Sequence, residues 1–83
     1  MLKLKQEVDF SVLEQYGLQL DGDYYIIRHY PADFIQVNIH TRKLEYCLRR
    51  WALNLAYKMI QDGIIEDTGI MDQVSVVFPS DLN

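Results

Sequence analysis

Two short stretches with a period of two constrain the fold of this chain more than any other feature. From Phe34, Ile35, Val37 and Ile39 alternate with Gln36, Asn38 and His40. After Thr41-Arg42, Leu44, Tyr46 and Leu48 alternate with Lys43, Glu45 and Cys47. Alternate side chains of a strand point to opposite faces, so each stretch reads as a strand with one dry side. A tight reversal at Thr41-Arg42 pairs Ile39 with Leu44, Val37 with Tyr46 and Ile35 with Leu48, and both strands then turn their apolar residues to the same face. Thr-Arg is not a dipeptide favoured in a type I′ turn, which leaves a longer loop open.

Upstream, the aromatic and branched segment Tyr24-Tyr25-Ile26-Ile27-Arg28-His29-Tyr30 follows Leu18-Gln19-Leu20 and Asp21-Gly22. Asp-Gly supplies the positive φ values of a hairpin turn, so these residues predict a second hairpin with a short first strand. Pro31 ends it, because proline has no ladder donor and restricts its predecessor. Before that hairpin, Phe10, Leu13 and Tyr16 or Gly17 recur at helical spacing behind Asp9, with Gly17 suited to a left-handed end. Ser11 and Glu14 also fit a capping box, but a helix starting there would have barely one turn, so Asp9 is the preferred cap.

Beyond the central hairpin the period changes. Leu48, Ala52, Leu55, Ala56, Met59 and Ile60 form an apolar stripe with Trp51 at its edge, while Arg50, Asn54, Lys58 and Gln61 lie opposite. This predicts an amphipathic helix over residues 50–62, closed by Gly63 with Ile64 supplying the accompanying apolar contact. Val74, Val76 and Phe78 form a last alternating segment that adds to a sheet edge or packs over the helix. The fold class that follows is α+β: a meander of three to four antiparallel strands on an amphipathic C-terminal helix, with a short N-terminal helix. Val37, Ile39, Leu44, Tyr46, Leu55 and Met59 are its expected core.

Eighty-three residues form a single domain, spanning residues 1–83, since a chain of this size buries only about 60% of its unfolded surface. The lone cysteine, Cys47, cannot close an internal disulfide, so packing alone holds the fold, at about 4–12 kcal/mol. No apolar stretch approaches the roughly 20 residues of a membrane helix, and no secretory h-region follows Met1–Lys5, which predicts a cytoplasmic protein without membrane partners.

The net charge of −4 argues against attraction to nucleic acid or anionic lipid. That charge is polarised. Residues 41–58 carry Arg42, Lys43, Arg49, Arg50 and Lys58 against Glu45, whereas residues 59–83 carry Asp62, Glu66, Asp67, Asp72 and Asp81 with no base. The acidic end can meet the basic patch in the same molecule or in a partner. Catalytic and cofactor chemistry is not indicated. Cys47, His29 and His40 lack metal-ligand spacing, Cys47 has no adjacent base, and the glycines stand singly rather than in a phosphate-binding loop.

Six tyrosines, three of them within residues 24–30, cannot all face one core, because successive strand residues project to opposite sides. Some fill an outer sheet face or an edge, or supply a contact surface.

Two groups of residues carry a resemblance. Lys3-Leu4-Lys5, Val8-Asp9, Leu13-Glu14, Tyr16-Gly17 and Asp21-Gly22-Asp23-Tyr24-Tyr25, together with Ile39–Tyr46 and Leu55–Asp67, are similar to a class of small uncharacterised proteins of Firmicutes phages and prophages. The similarity covers most of residues 1–67 and carries no catalytic motif. It implies an accessory protein of a mobile element that acts in the bacterial cytoplasm by binding.

The functional expectation is a non-enzymatic protein that binds a host or defence protein, with a small nucleic-acid-binding regulator using the basic region 42–50 as the alternative. Tyrosine and arginine dominate interface energetics, so the expected contact residues are Tyr24, Arg28, Tyr30, Arg42 and Arg50 on the outer sheet face and hairpin tip, with the loop across Pro31 to Asp33 leaving open whether Tyr24 and Tyr30 or Tyr25 and Ile27 face outward. No cofactor or metal is expected. Uncovered edges and an aromatic face also predict a symmetric homodimer.

Overall fold

Asp9 and Gly17 bracket the first helix as their chemistry dictates. In the computed structural model, which describes residues 1–68, the Asp9 carboxylate accepts the backbone N–H of Ser11 at 2.8 Å, and Gly17 takes φ 96° at the far end. The element between them, Phe10–Tyr16, is a 3-10 helix. The order among the described residues is β1 (Leu2–Leu4), this 3-10 helix, β2 (Gln19–Asp21), β3 (Tyr24–Tyr30), β4 (Asp33–Asn38), β5 (Leu44–Tyr46), α1 (Arg50–Gln61) and β6 (Ile65–Asp67). The expected strand at Val74–Phe78 lies outside the described residues.

The protein is α+β, with antiparallel sheets and, among the described residues, two helices. β2, β3, β4 and β5 form a four-stranded meander in chain order. The turn from β2 to β3 sits one residue later than Asp21-Gly22: Asp21 pairs with Tyr24, and Gly22 takes φ 64° at the first of two loop positions. That is where a type II′ turn requires glycine.

The central hairpin corrects the expected register. Val37 pairs with Leu44 and Ile35 with Tyr46, a displacement of two residues. The loop therefore spans four residues instead of a tight reversal at Thr41-Arg42. Asn38 organises it: its side-chain oxygen accepts the N–H groups of His40 at 2.7 Å and Thr41 at 3.1 Å, while its carbonyl accepts that of Arg42 at 2.8 Å. Arg42 closes the loop with φ 67°, in the left-handed region. Because side chains alternate every two residues, the displacement leaves the same faces dry. It does remove Leu48 from the strand, and that residue is 85% exposed.

Two short strands close the fold. β1 and β6 pair antiparallel, from Leu2 with Asp67 to Leu4 with Ile65, and a single Lys3–Lys43 bridge ties β1 to the start of β5. So α1 is followed by a strand rather than ending the fold. Its own ends follow the expected logic: Gly63 takes φ 84°, its N–H reaches the carbonyl of Ile60, and that of Ile64 reaches Met59. These two bonds are the glycine-terminated Schellman arrangement.

Leu4, Leu13, Leu18, Ile35, Val37, Leu44, Ala52, Ala56, Met59 and Ile65 form one buried cluster. Val37, Leu44 and Met59 are buried as expected, whereas Ile39, Tyr46 and Leu55 are half-buried. The reason lies in the helix. Ala52, Ala56 and Met59 make the buried stripe, and the two alanines bring α1 close to the sheet. The larger Leu53, Tyr57 and Ile60 are displaced to its flank, 42%, 60% and 40% exposed.

Candidate interaction surface

Strand parity separates the sheet into two unlike faces. Tyr25 pairs with Val37 and Ile27 with Ile35, which places both on the covered side with α1 and the 3-10 helix. There the Phe10 ring stacks on Tyr25 at 5.9 Å, and Gly17 lies against Ile27. The opposite face carries Tyr24 and Asn38, Ile26 and Gln36, and Arg28 and Phe34 as cross-strand pairs. Gln36 continues this row to Glu45, donating to its carboxylate at 2.8 Å. Tyr24, Ile26 and Phe34 are half-buried by their neighbours and take no part in the core. Among the described residues, no element lies over this face.

The structure unites two of the five expected contact residues. Tyr24 and Arg28 share the outer face. Tyr30 does not join them, because a bulge between Arg28 and Tyr30 inserts His29 and pairs Tyr30 with Asp33 instead. Arg50 sits at the start of α1, on another element.

Arg42 turns inward. Its guanidinium donates to the backbone carbonyls of Leu4, Lys5 and Val8 and lies over the Phe10 ring at 4.5 Å from the centroid. It thereby clamps the segment between β1 and the 3-10 helix to the hairpin loop. Sequence reading missed Phe34 as a surface residue, although one step back from Ile35 in the alternation places it outward.

A second cluster gathers at the start of β4 and α1. One oxygen of Asp33 accepts the Trp51 indole N–H at 2.7 Å and the Cys47 thiol at 3.3 Å, and the His29 ring meets Trp51 edge-on at 4.5 Å. Burial pushes the Asp33 carboxyl upward, but the bonds from Trp51 and Cys47 and the nearby Arg49 and His29 outweigh it, so the group ends below the ordinary carboxylate value. A carboxylate that holds its proton so weakly is a poor base, and here the thiol is bonded to it rather than to an imidazole. The cluster therefore anchors the helix start to the sheet. Among the described residues, no three His, Cys, Asp or Glu side chains are grouped to hold a metal ion.

No family model, curated protein or solved structure matches this chain. An open groove of ≈ 610 Å³ lies between β1, β5 and α1. No helix among the described residues is long and apolar enough to cross a membrane.

Proposed function

We propose that the protein acts by contact and not by catalysis, as a small phage or prophage accessory protein in the bacterial cytoplasm that occupies the surface of a host or defence protein. The observation that supports this reading best is the outer sheet face. Tyr24, Ile26, Arg28 and Phe34 stand together there with no described element over them. Covering apolar area is favourable at about 25 cal/mol per Å². Tyrosine and arginine add specificity through a polar tip and a bidentate donor. The Asp33 cluster offers no matching arrangement for nucleophilic chemistry.

The nucleic-acid reading is weakened by the position of Arg42. Its donors are spent on backbone carbonyls, which leaves the 42–50 region without one of its cations for phosphate contact. A protein partner suits a face of mixed aromatic and polar character better than a phosphate backbone does. A second copy, giving a symmetric homodimer, is the rival occupant of the same face.

Capture from host lysate with the tagged full chain tests the reading. A retained protein should bind Tyr24→Ala, Arg28→Ala or Phe34→Ala more weakly by about 1–2 kcal/mol at an anchor position, with an unchanged circular dichroism spectrum. Equal binding by all three variants would refute this face as the site. Retention of nucleic acid with steep salt dependence would favour the regulator instead, and light scattering that shows a dimer lost in these variants would identify the second copy.

A further inference from the structure

The two edges of the four-stranded sheet differ. At one, the Lys3–Lys43 bridge and the bond from the Leu4 N–H to the Arg42 carbonyl tie β1 to the start of β5. At the other, β2 pairs with β3 and has no neighbour beyond it among the described residues. All three of its residues are exposed, Leu20 at 57%.

Hairpin geometry decides which backbone groups face outward. A two-residue turn closes on a bonded pair, here Asp21–Tyr24, and bonded and non-bonded pairs alternate along an antiparallel ladder. Leu20–Tyr25 is therefore a non-bonded pair, and the N–H and C=O of Leu20 point to the open edge. A strand added there lies about 4.8 Å from β2 and forms a bonded pair with Leu20. Opposed residues share a face, so the residue opposite Leu20 projects to the same side as the Leu20 side chain. On that side an open groove of ≈ 310 Å³ is lined by Glu14, Gly17, Leu18, Gln19 and Leu20. The adjoining residue of the added strand projects to the other side, beside Asp21.

Charge selects the occupant. Glu14 and Asp21 are exposed, and neither carboxylate is in an ion pair or hydrogen bond among the described residues. A second copy pairing β2 with β2 would bring two further carboxylates to the same edge, where like charges repel. An extended segment with two adjacent basic residues meets one carboxylate with each, and the stem of a lysine or arginine also covers Leu20.

We propose that the open edge of β2 captures an extended dibasic segment of another protein as an antiparallel fifth strand. One basic residue lies opposite Leu20 and reaches Glu14 across the groove, and its neighbour lies beside Asp21. The site adjoins the outer sheet face, because Asp21 stands opposite Tyr24, but it does not rest on the function proposed for that face.

A six-residue peptide with blocked ends, Thr-Val-Lys-Arg-Val-Thr, tests this in a titration of the ¹⁵N-labelled full chain followed by NMR and amide hydrogen exchange. The signals of Glu14, Gly17 and Gln19–Asp21 should shift, and exchange at the Leu20 amide should slow. That slowing reports the new backbone bond, which a purely ionic contact does not supply. The same peptide N-methylated at its arginine, and Thr-Val-Glu-Glu-Val-Thr, should not bind. Glu14→Gln combined with Asp21→Asn should weaken binding by roughly three- to tenfold. Phe34→Ala, on the outer face, should bind the peptide as the unaltered chain does.

Equal binding of the acidic or N-methylated peptide, an unchanged Leu20 exchange rate, or no shift in peptide excess would overturn the proposal. Shifts centred on Tyr24, Arg28 and Phe34, or loss of binding in Phe34→Ala, would move the peptide to the outer face. A dimer of the free chain that already protects the Leu20 amide would assign the edge to a second copy instead.

Discussion

The two faces of the meander are built from the same kinds of residue and have opposite fates. On one, Tyr25, Ile27, Ile35, Val37 and Leu44 lie under α1 and the 3-10 helix. On the other, Tyr24, Ile26, Arg28 and Phe34 lie under none of the described elements. Residue type does not distinguish them, because tyrosine and isoleucine occur on both. Parity does, since each strand alternates and the alternation is locked by the partner strand. Stability should therefore be concentrated on one side of the sheet, while the other keeps its apolar area for binding.

The largest test of this contrast is a cavity on the covered side. Ile35 and Met59 are fully buried. Ile35→Ala or Met59→Ala should each destabilise the fold by about 2–5 kcal/mol, from lost transfer energy and the void left behind. For a domain expected to hold about 4–12 kcal/mol in total, either change should be visible as a large fall in the urea midpoint. A loss below about 1 kcal/mol at both positions would contradict the assigned core.

A charged residue also belongs to the covered side in its effect. Arg42→Ala removes three donors from backbone carbonyls together with the contact on Phe10. Hydrogen bonds from a charged donor contribute about 1.5–3 kcal/mol, and a comparable loss is expected here. Arg42 also pays for its place with a left-handed backbone of φ 67°, a conformation that costs a non-glycine residue about 1 kcal/mol. Arg42→Gly should therefore be milder than Arg42→Ala by roughly that amount, measured by the same urea titration. Equal losses would mean that the backbone conformation is unstrained.

These outcomes bear on what could be read in the residues beforehand. Faces were legible because the hydrophobic alternation of residues 34–48 survives a register change of two. The register itself was not, because it depends on Asn38 bonding to the backbone of His40 and Thr41, a local competition that leaves no periodic mark. The helix and both glycine ends were legible from spacing and caps. The β1–β6 pair was not, since three-residue strands more than 60 positions apart have no local signal. At the site, the strand carrying Tyr24 and Arg28 was legible but its outward face was not, because aromatic and branched residues occupy both of its sides, and the bulge at His29 diverted Tyr30. Arg42 looked like a surface cation because sequence does not show which carbonyls a long side chain will meet.

A smaller effect is expected at the rim of the covered side, where the Tyr16 hydroxyl donates to Asp62 at 2.6 Å. Burial, the bond and the carboxylate charge push the Tyr16 hydroxyl from 10.0 up to about 12. The folded form thus keeps this proton more tightly than the unfolded chain does. The resulting stabilisation is complete below pH 10.0 and is lost as pH rises to about 12. For Asp62, the bond from Tyr16 and the charge of Lys58 hold the carboxyl below its ordinary 3.8, so its contribution is present above that pH and is lost as acid protonates it. Tyr16→Phe should cost about 0.5–1.5 kcal/mol near neutrality. It should also flatten both flanks of the stability profile and return Asp62 toward its ordinary titration, as followed by NMR of the carboxyl carbon. An unchanged Asp62 titration in Tyr16→Phe would show that the bond is not formed in solution.

The smallest expected effect, at Ile26, belongs to the most direct comparison of the two faces. Ile26 and Ile27 are sequence neighbours on β3, with Ile26 opposite Gln36 on the outer side and Ile27 opposite Ile35 on the covered one. Replacing either by threonine keeps the β-branched shape and the strand preference, so the difference reports burial instead of propensity. At Ile27 the hydroxyl enters apolar packing against the buried cluster and Gly17, and a loss of about 1–3 kcal/mol is expected. At Ile26 the hydroxyl meets the Gln36–Glu45 row, where polar partners are at hand, and the change should stay within about 0.5 kcal/mol. Should Ile26→Thr cost as much as Ile27→Thr in matched urea titrations, the outer face would be covered in the free protein, and its role as a contact surface would fall with that result.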